Sequence, residues 1–278
     1  MIRGAGRVGP VELPILIYTL GNQGDTTMKR LTSALLVLAA LAIAFPSTAA
    51  DNSRFSLELE AGPVWQSSND VQIPNDETGT RFSLKDLVGT GPWPAGRVYF
   101  TWNINSRHGL RLLLAPLSYT ETGIFEDDVL FAGEAYSSGV PTDATYQFNS
   151  WRISYRYKFK NGDRWQLWVG VTAKARDAKI ELRQGDTTSK DTDLGFVPLA
   201  HFAADWRFAE RWHAIFDFDG LAGGPGRAFD VALKIGYDIN DRWSVTAGYR
   251  TVEGGADVDE VYNFAWFNFA VVSGIVRF

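Results

Sequence analysis

From Arg54 to the last residue, apolar side chains recur at every second position, the period of strands with one apolar face. The clearest stretch is 229–239. Phe229, Val231, Leu233, Ile235, Tyr237 and Ile239 share one face, and Asp230, Ala232, Lys234, Gly236 and Asp238 share the other. Asn240-Asp241 makes a tight turn, and Trp243, Val245, Ala247 and Tyr249 continue the pattern, so the two segments read as a hairpin. The same alternation starts near Phe55, Val98, Leu110, Trp151, Trp165, Phe196 and Trp212, and a last strand runs from about Tyr262 to Phe278. The pattern predicts ten strands, with eight or twelve as the alternatives.

The predicted connections alternate in length. The short ones are 104–108, 161–163, 209–210 and 240–241, and the long ones are 68–94, 122–145, 184–192, 222–226 and 253–261. Short periplasmic turns, long extracellular loops and an even strand count are the pattern of a single antiparallel transmembrane β-barrel. The mean hydropathy is slightly negative. Such a barrel tolerates this, because its lumen-facing positions are polar. A soluble sandwich gives no reason for the loop rhythm. Pro116 and Pro198 fall within strands, where a ladder donor is lost. The alternation slips by one in 173–182, which predicts a bulge near 175–178.

The one long apolar run, 34–45, follows Met28-Lys29-Arg30 and precedes Pro46-Ser47-Thr48-Ala49-Ala50. A charged start, a short apolar stretch and small residues before Asp51 read as a cleaved signal peptide over 28–50. The run is too short to span a bilayer, which takes about 20 residues. Residues 1–27 precede a start that belongs at Met28, so they read as a translated upstream extension, leaving 51–278 as the barrel. Residues 1–50 carry a net +2, and the formal charge of −5 therefore leaves −7 for the rest. An acidic body without a basic run excludes nucleic acid as the expected partner. With no Cys in the chain there is neither a disulfide nor a thiolate site.

Aromatic residues flank the short turns: Trp102, Phe159, Trp165, Trp206, Phe208, Trp212 and Trp243. Their rings suit a headgroup girdle. The chain ends on Phe278, with Val276, Gly274 and Val272 on the same face. Over 54–278 the architecture resembles the bacterial outer-membrane β-barrels. That resemblance implies a Gram-negative outer-membrane location, a lipid environment and a terminal Phe278 that serves as the signal for the assembly machinery.

Ten strands make a barrel that fills with side chains rather than a wide pore. The inward parity carries Glu58, Glu60, Arg97, Arg111, Arg152 and Arg156 on the first half of the strands. Lys158, Lys174, Arg176, Asp205, Arg207, Asp217, Asp219, Asp230, Lys234 and Arg250 follow on the second. Mixed signs predict a charge network, since isolated buried charges are very costly. Leu113, Leu117, Trp168, Val197 and Leu199 share the inward parity, which keeps passage of a small apolar ligand in view.

Register brings His201, Asp217, Asp219, Asp230 and Arg250 together in the outer half. A carboxylate pair with a His is capable of general acid–base work on a water, the alternative of a hydrolase. Asp217-x-Asp219 resembles half of the motif of the ten-stranded outer-membrane aspartyl proteases. Their other half, Asp-x-His, is missing here, because His213 lies on the wrong side of Asp217. Ser150 and His201 lie on non-adjacent strands, and His108 sits in a turn. No grouping has metal-ligand spacing, so neither a metal nor a cofactor is expected.

The loop at 122–145 is acidic yet holds Ile124, Phe125, Val129, Leu130 and Phe131, and 68–94 holds Phe82, Leu84, Leu87, Val88 and Trp93. Either these groups pack on each other or they meet a surface partner. Together these readings predict an outer-membrane barrel with a structural, surface-interaction or narrow-channel role. The leader reading has a direct check. Mass spectrometry of the cellular protein should find an N-terminus near Asp51, and a peptide from 1–27 would overturn the placement of the start.

Overall fold

The computed structural model describes residues 53–278, so the leader and the upstream extension lie outside the described residues. The described part is a closed ten-stranded antiparallel barrel. Its walls are β1 (Phe55–Gln72), β3 (Trp93–Asn103), β4 (His108–Ala115), β8 (Pro141–Asn161), β9 (Trp165–Gln184) and β10 (Thr187–Arg207). They continue through β11 (Trp212–Gly223), β12 (Gly226–Asp238), β13 (Trp243–Val258) and β14 (Val261–Arg277). Each wall pairs with the next, and β14 pairs back onto β1. The seam is fastened by Phe55 and Phe278, which exchange two backbone hydrogen bonds at 2.9 Å and stack their rings.

Both barrel ends of the chain lie at the end with the turns 104–107, 162–164, 208–211 and 239–242, here the terminal end. Trp102, Phe159, Trp165, Trp206, Phe208, Trp212 and Trp243 are all exposed around it. Above this ring, the outer face is a band of exposed aliphatic and aromatic residues, including Leu112, Ile153, Val171, Leu233, Val245 and Val272.

The distal end corrects two sequence expectations. No bulge occurs near 175–178. β9 pairs without a register shift there with both β8 and β10, and the irregularities lie instead at Gln66/Ser68 and Lys158/Lys160. What slips is polarity, not backbone. On β9, the outward Val171, Ala173 and Ala175 give way to Asp177, Lys179 and Glu181, while the inward Thr172, Lys174 and Arg176 give way to Ala178, Ile180 and Leu182. β8 inverts in the same way: outward Ile153 and Trp151 are followed by Asn149 and Gln147, inward Arg152 and Ser150 by Phe148 and Tyr146. A strand leaving hydrocarbon for water must turn polar outward, and its inner face is then free to become an apolar core.

The same inversion hid strand as loop. The stretches at 184–192, 222–226 and 253–261 are mostly paired strand closed by the two-residue turns 185–186, 224–225 and 259–260. The two remaining connections are long. The first, 73–92, carries β2 (Phe82–Ser83) and α1 (Leu84–Val88), whose N-cap Ser83 accepts from the Asp86 N–H. The second carries β5 (Ser118–Ile124), which pairs with β8, and the hairpin of β6 (Val129–Phe131) and β7 (Glu134–Tyr136). The two prolines are accommodated by position. Pro116 lies in the break between β4 and β5, and Pro198 lies just past the last pair that β10 makes with β11, Ala200–Gly220.

The distal core is built by both long connections. Leu84, Phe131 and Tyr136 are fully buried, and Val64, Trp93, Tyr119, Phe125, Tyr146 and Phe267 are buried around them. Phe82 meets Phe125 and Phe131 edge-on, and Trp93 stacks on Tyr119. α1 packs so closely on β5 that a Cβ on Gly123 would fall 1.9 Å from the Leu87 carbonyl oxygen. Ile124 and Leu130 stay exposed.

Candidate functional site

Inward parity sets the charged side chains of eight walls in the middle of the lumen. Asp230 of β12 is the hub. Arg97 donates from Nη1 to its Oδ2 at 2.8 Å, Arg152 approaches the same oxygen at 2.8 Å, and Arg250 donates to Oδ1. Arg250 also donates from Nε to Glu60 Oε1 at 3.0 Å, and Lys234 donates to Glu58 at 2.6 Å and Glu60 at 3.0 Å. Arg111 holds Asp217 with both terminal nitrogens, at 2.5 and 3.0 Å. Tyr99 is buried among Arg111, Lys234 and Arg250, each within about 6 Å of its ring.

The acid–histidine cluster lies beside this hub. The β10–β11 register sets His201 opposite Asp219, and the β11–β12 register sets Asp219 opposite Asp230. His201 Nδ1 is 2.8 Å from Asp219 Oδ1, and Arg156 donates from Nε to His201 Nε2 at 3.2 Å. A guanidinium can only donate, so Nε2 is the acceptor and Nδ1 carries the proton given to Asp219. Asp219 accepts further from Thr172 Oγ1 at 2.8 Å and from Arg152 Nη1 at 2.9 Å.

His201, Asp217 and Asp219 each offer a ligand atom within 4.8 Å of the others. Yet those atoms already have protein partners: His201 donates from Nδ1 to Asp219 and accepts at Nε2 from Arg156, Asp217 accepts from the Arg111 fork, and Asp219 accepts from three donors. These partners hold the three side chains in fixed orientations.

Four sequence candidates lie elsewhere. Lys158 donates to Gln166 at 3.1 Å beside the turn 162–164. Asp205 pairs with His213 at 2.9 Å and Arg207 with Asp238 at 3.2 Å, both at the terminal end. Arg176 is ion-paired with Asp193 above the hub. Tyr99, Ser154 and Thr172 are uncharged polar members of the buried lumen. Their signal was parity, since Tyr99 follows Arg97 by two and Thr172 precedes Lys174 by two.

No family model matches the chain, and no curated protein matches it in sequence. Among solved structures, it is similar to the outer membrane protease OmpT from Escherichia coli, with 10% identity and a TM-score of 0.51 over 84% of this chain and 99% of that one. At that identity the likeness speaks to the fold. The chain has the fold of the outer-membrane β-barrels. Neisserial surface protein A (15% identity, TM-score 0.37, 81% of this chain and 98% of that one) also aligns with this barrel. So does Ail, the attachment invasion locus protein of Yersinia pestis (11% identity, TM-score 0.36, 81% and 99%).

The hub carries a quantitative prediction. Asp230→Asn leaves three guanidiniums around a neutral amide, and removing one partner of a buried ionic group costs about 3–5 kcal/mol. Urea unfolding of the variant in lipid should show a loss of that size. A loss below about 1 kcal/mol would show that the lumen charges are solvated rather than held.

Proposed function

We propose that this outer-membrane protein is a closed, non-conducting barrel whose working part is its distal end. The observation that carries this reading is closure at two levels. The ion-paired layer fills the lumen at the height of Asp230, and the apolar core of Leu84, Phe131, Tyr136 and Phe267 fills it above. An ion crossing the barrel would have to break both. Of the roles set out from the sequence, this favours a structural or surface-interaction role over a narrow channel. The hydrolase alternative gains no support, because the carboxylates are spent on arginines.

Export through the 28–50 leader in a Gram-negative bacterium belongs to the same reading, as does delivery of the last strand to the assembly machinery. The segments 68–94 and 122–145 would then present the surface that partners meet, with Ile124 and Leu130 exposed on it.

Conductance tests the proposal. The refolded protein, shown folded by a heat-dependent gel shift, should add no discrete current steps to a planar bilayer. Reproducible unitary steps from the folded form would overturn it.

A further inference from the structure

Five of the ten walls start at the terminal end: β1, β4, β9, β11 and β13. The residue before each start is an arginine: Arg54, Arg107, Arg164, Arg211 and Arg242. The first residue of each wall carries a ring: Phe55, His108, Trp165, Trp212 and Trp243. The backbone repeats as well. Each arginine carbonyl accepts from an N–H of the neighbouring wall, from Asn103, Lys158, Arg207, Asp238 and Arg277 in turn, at 2.7 to 2.9 Å. Five guanidiniums therefore leave the chain at equivalent points around one rim.

The fold itself makes little use of these charges. Among the described residues, the guanidiniums of Arg54, Arg107 and Arg164 have no partner, and that of Arg211 reaches only the Ile239 carbonyl, at 3.4 Å. All four side chains are exposed. Arg207 and Arg277 differ, since both lie against Asp238. Asp163, Glu210 and Asp241 each precede a rim arginine, yet among the described residues no ion pair joins them to it. With Lys160, the exposed cations of the rim outnumber these three acids and the terminal carboxylate of Phe278. The distal connections have the opposite sign, with Glu126, Asp127, Asp128, Asp257, Asp259 and Glu260.

Height points to the ligand. Indole rings settle between hydrocarbon and headgroups, and Trp165, Trp212 and Trp243 are exposed at this end. An arginine one residue nearer the turn stands about 3.3 Å farther out, toward the phosphates. A guanidinium is a planar fork that matches two phosphate oxygens. Parity gives the arginines the lumen side of the rim, so the rim opens onto the aqueous mouth as well as the headgroups.

We propose that this arginine rim binds phosphate groups, those of anionic phospholipids in the leaflet at the terminal end. A zwitterionic headgroup brings its own cation to an already positive rim, so the rim selects headgroups of net negative charge. The proposal does not depend on whether the lumen conducts or on what the distal end meets.

The test is quenching of Trp fluorescence in vesicles that hold the folded barrel. Dibrominated phosphatidylglycerol is compared with dibrominated phosphatidylcholine, each mixed with its unbrominated form. Phosphatidylglycerol should be preferred by about threefold or more at low salt, and the preference should shrink at high salt. The triple variant Arg107→Gln, Arg164→Gln, Arg211→Gln should lose the preference. Lys190→Gln, at an exposed cation of the distal end, should keep it. A heat-dependent gel shift shows whether the triple variant is folded; if it is not, each of the three substitutions alone should lower the preference. The second arm is calorimetric titration of inorganic pyrophosphate into the protein in phosphatidylcholine vesicles. Saturable binding that the triple variant loses would uphold the site and place its phosphate in the aqueous mouth. A phosphatidylglycerol preference that survives the three substitutions would overturn the proposal, as would the absence of both the preference and pyrophosphate binding.

Discussion

A strand that crosses hydrocarbon can carry polar side chains on one face only. In this barrel that constraint decides nearly everything else. Ten walls present aliphatic and aromatic residues outward, so every charge on the spanning segments must turn inward. A ten-stranded lumen is narrow, and the charges gathered there must compensate one another. Asp230 shared among Arg97, Arg152 and Arg250 is the outcome, and so is the forked pairing of Arg111 with Asp217.

Where the strands leave the hydrocarbon the constraint lapses and the faces exchange roles. Inside, Phe148 and Tyr146 on β8 and Ile180 and Leu182 on β9 meet the side chains of α1 and the β6–β7 hairpin. The distal end is thus organised like a small soluble domain on a membrane-spanning base. The ion-paired layer closes the base, and the apolar core closes the domain. Lys174 lies at the boundary between the two, its ammonium 4.5 Å from the Phe148 ring.

The period-two pattern makes the barrel, its strand count and its aromatic ring legible in the sequence alone. Register arithmetic from the short turns also brought His201, Asp219 and Asp230 within reach of one another. The distal strands were harder to read for a physical reason. A period-two search looks for one apolar face, and β9 changes that face at Ala175–Asp177 without changing its pairing. The change reads as a bulge or a loop. The pairing inside the charge layer was not legible either. Arg111 with Asp217 and Arg152 with Asp219 and Asp230 join strands from opposite sides of the lumen, a distance that the sequence order of the strands does not encode.

The measurement that tests the polarity inversion most directly is an arginine scan along the outer face of β9, with unfolding free energies taken from urea titrations in lipid vesicles. Val171→Arg, in the apolar band, should cost about 2–4 kcal/mol. Glu181→Arg, beyond the inversion, gives up one partly exposed ion pair and should cost less than about 1 kcal/mol. Equal costs at the two positions would contradict the account, because they would place both residues in the same medium.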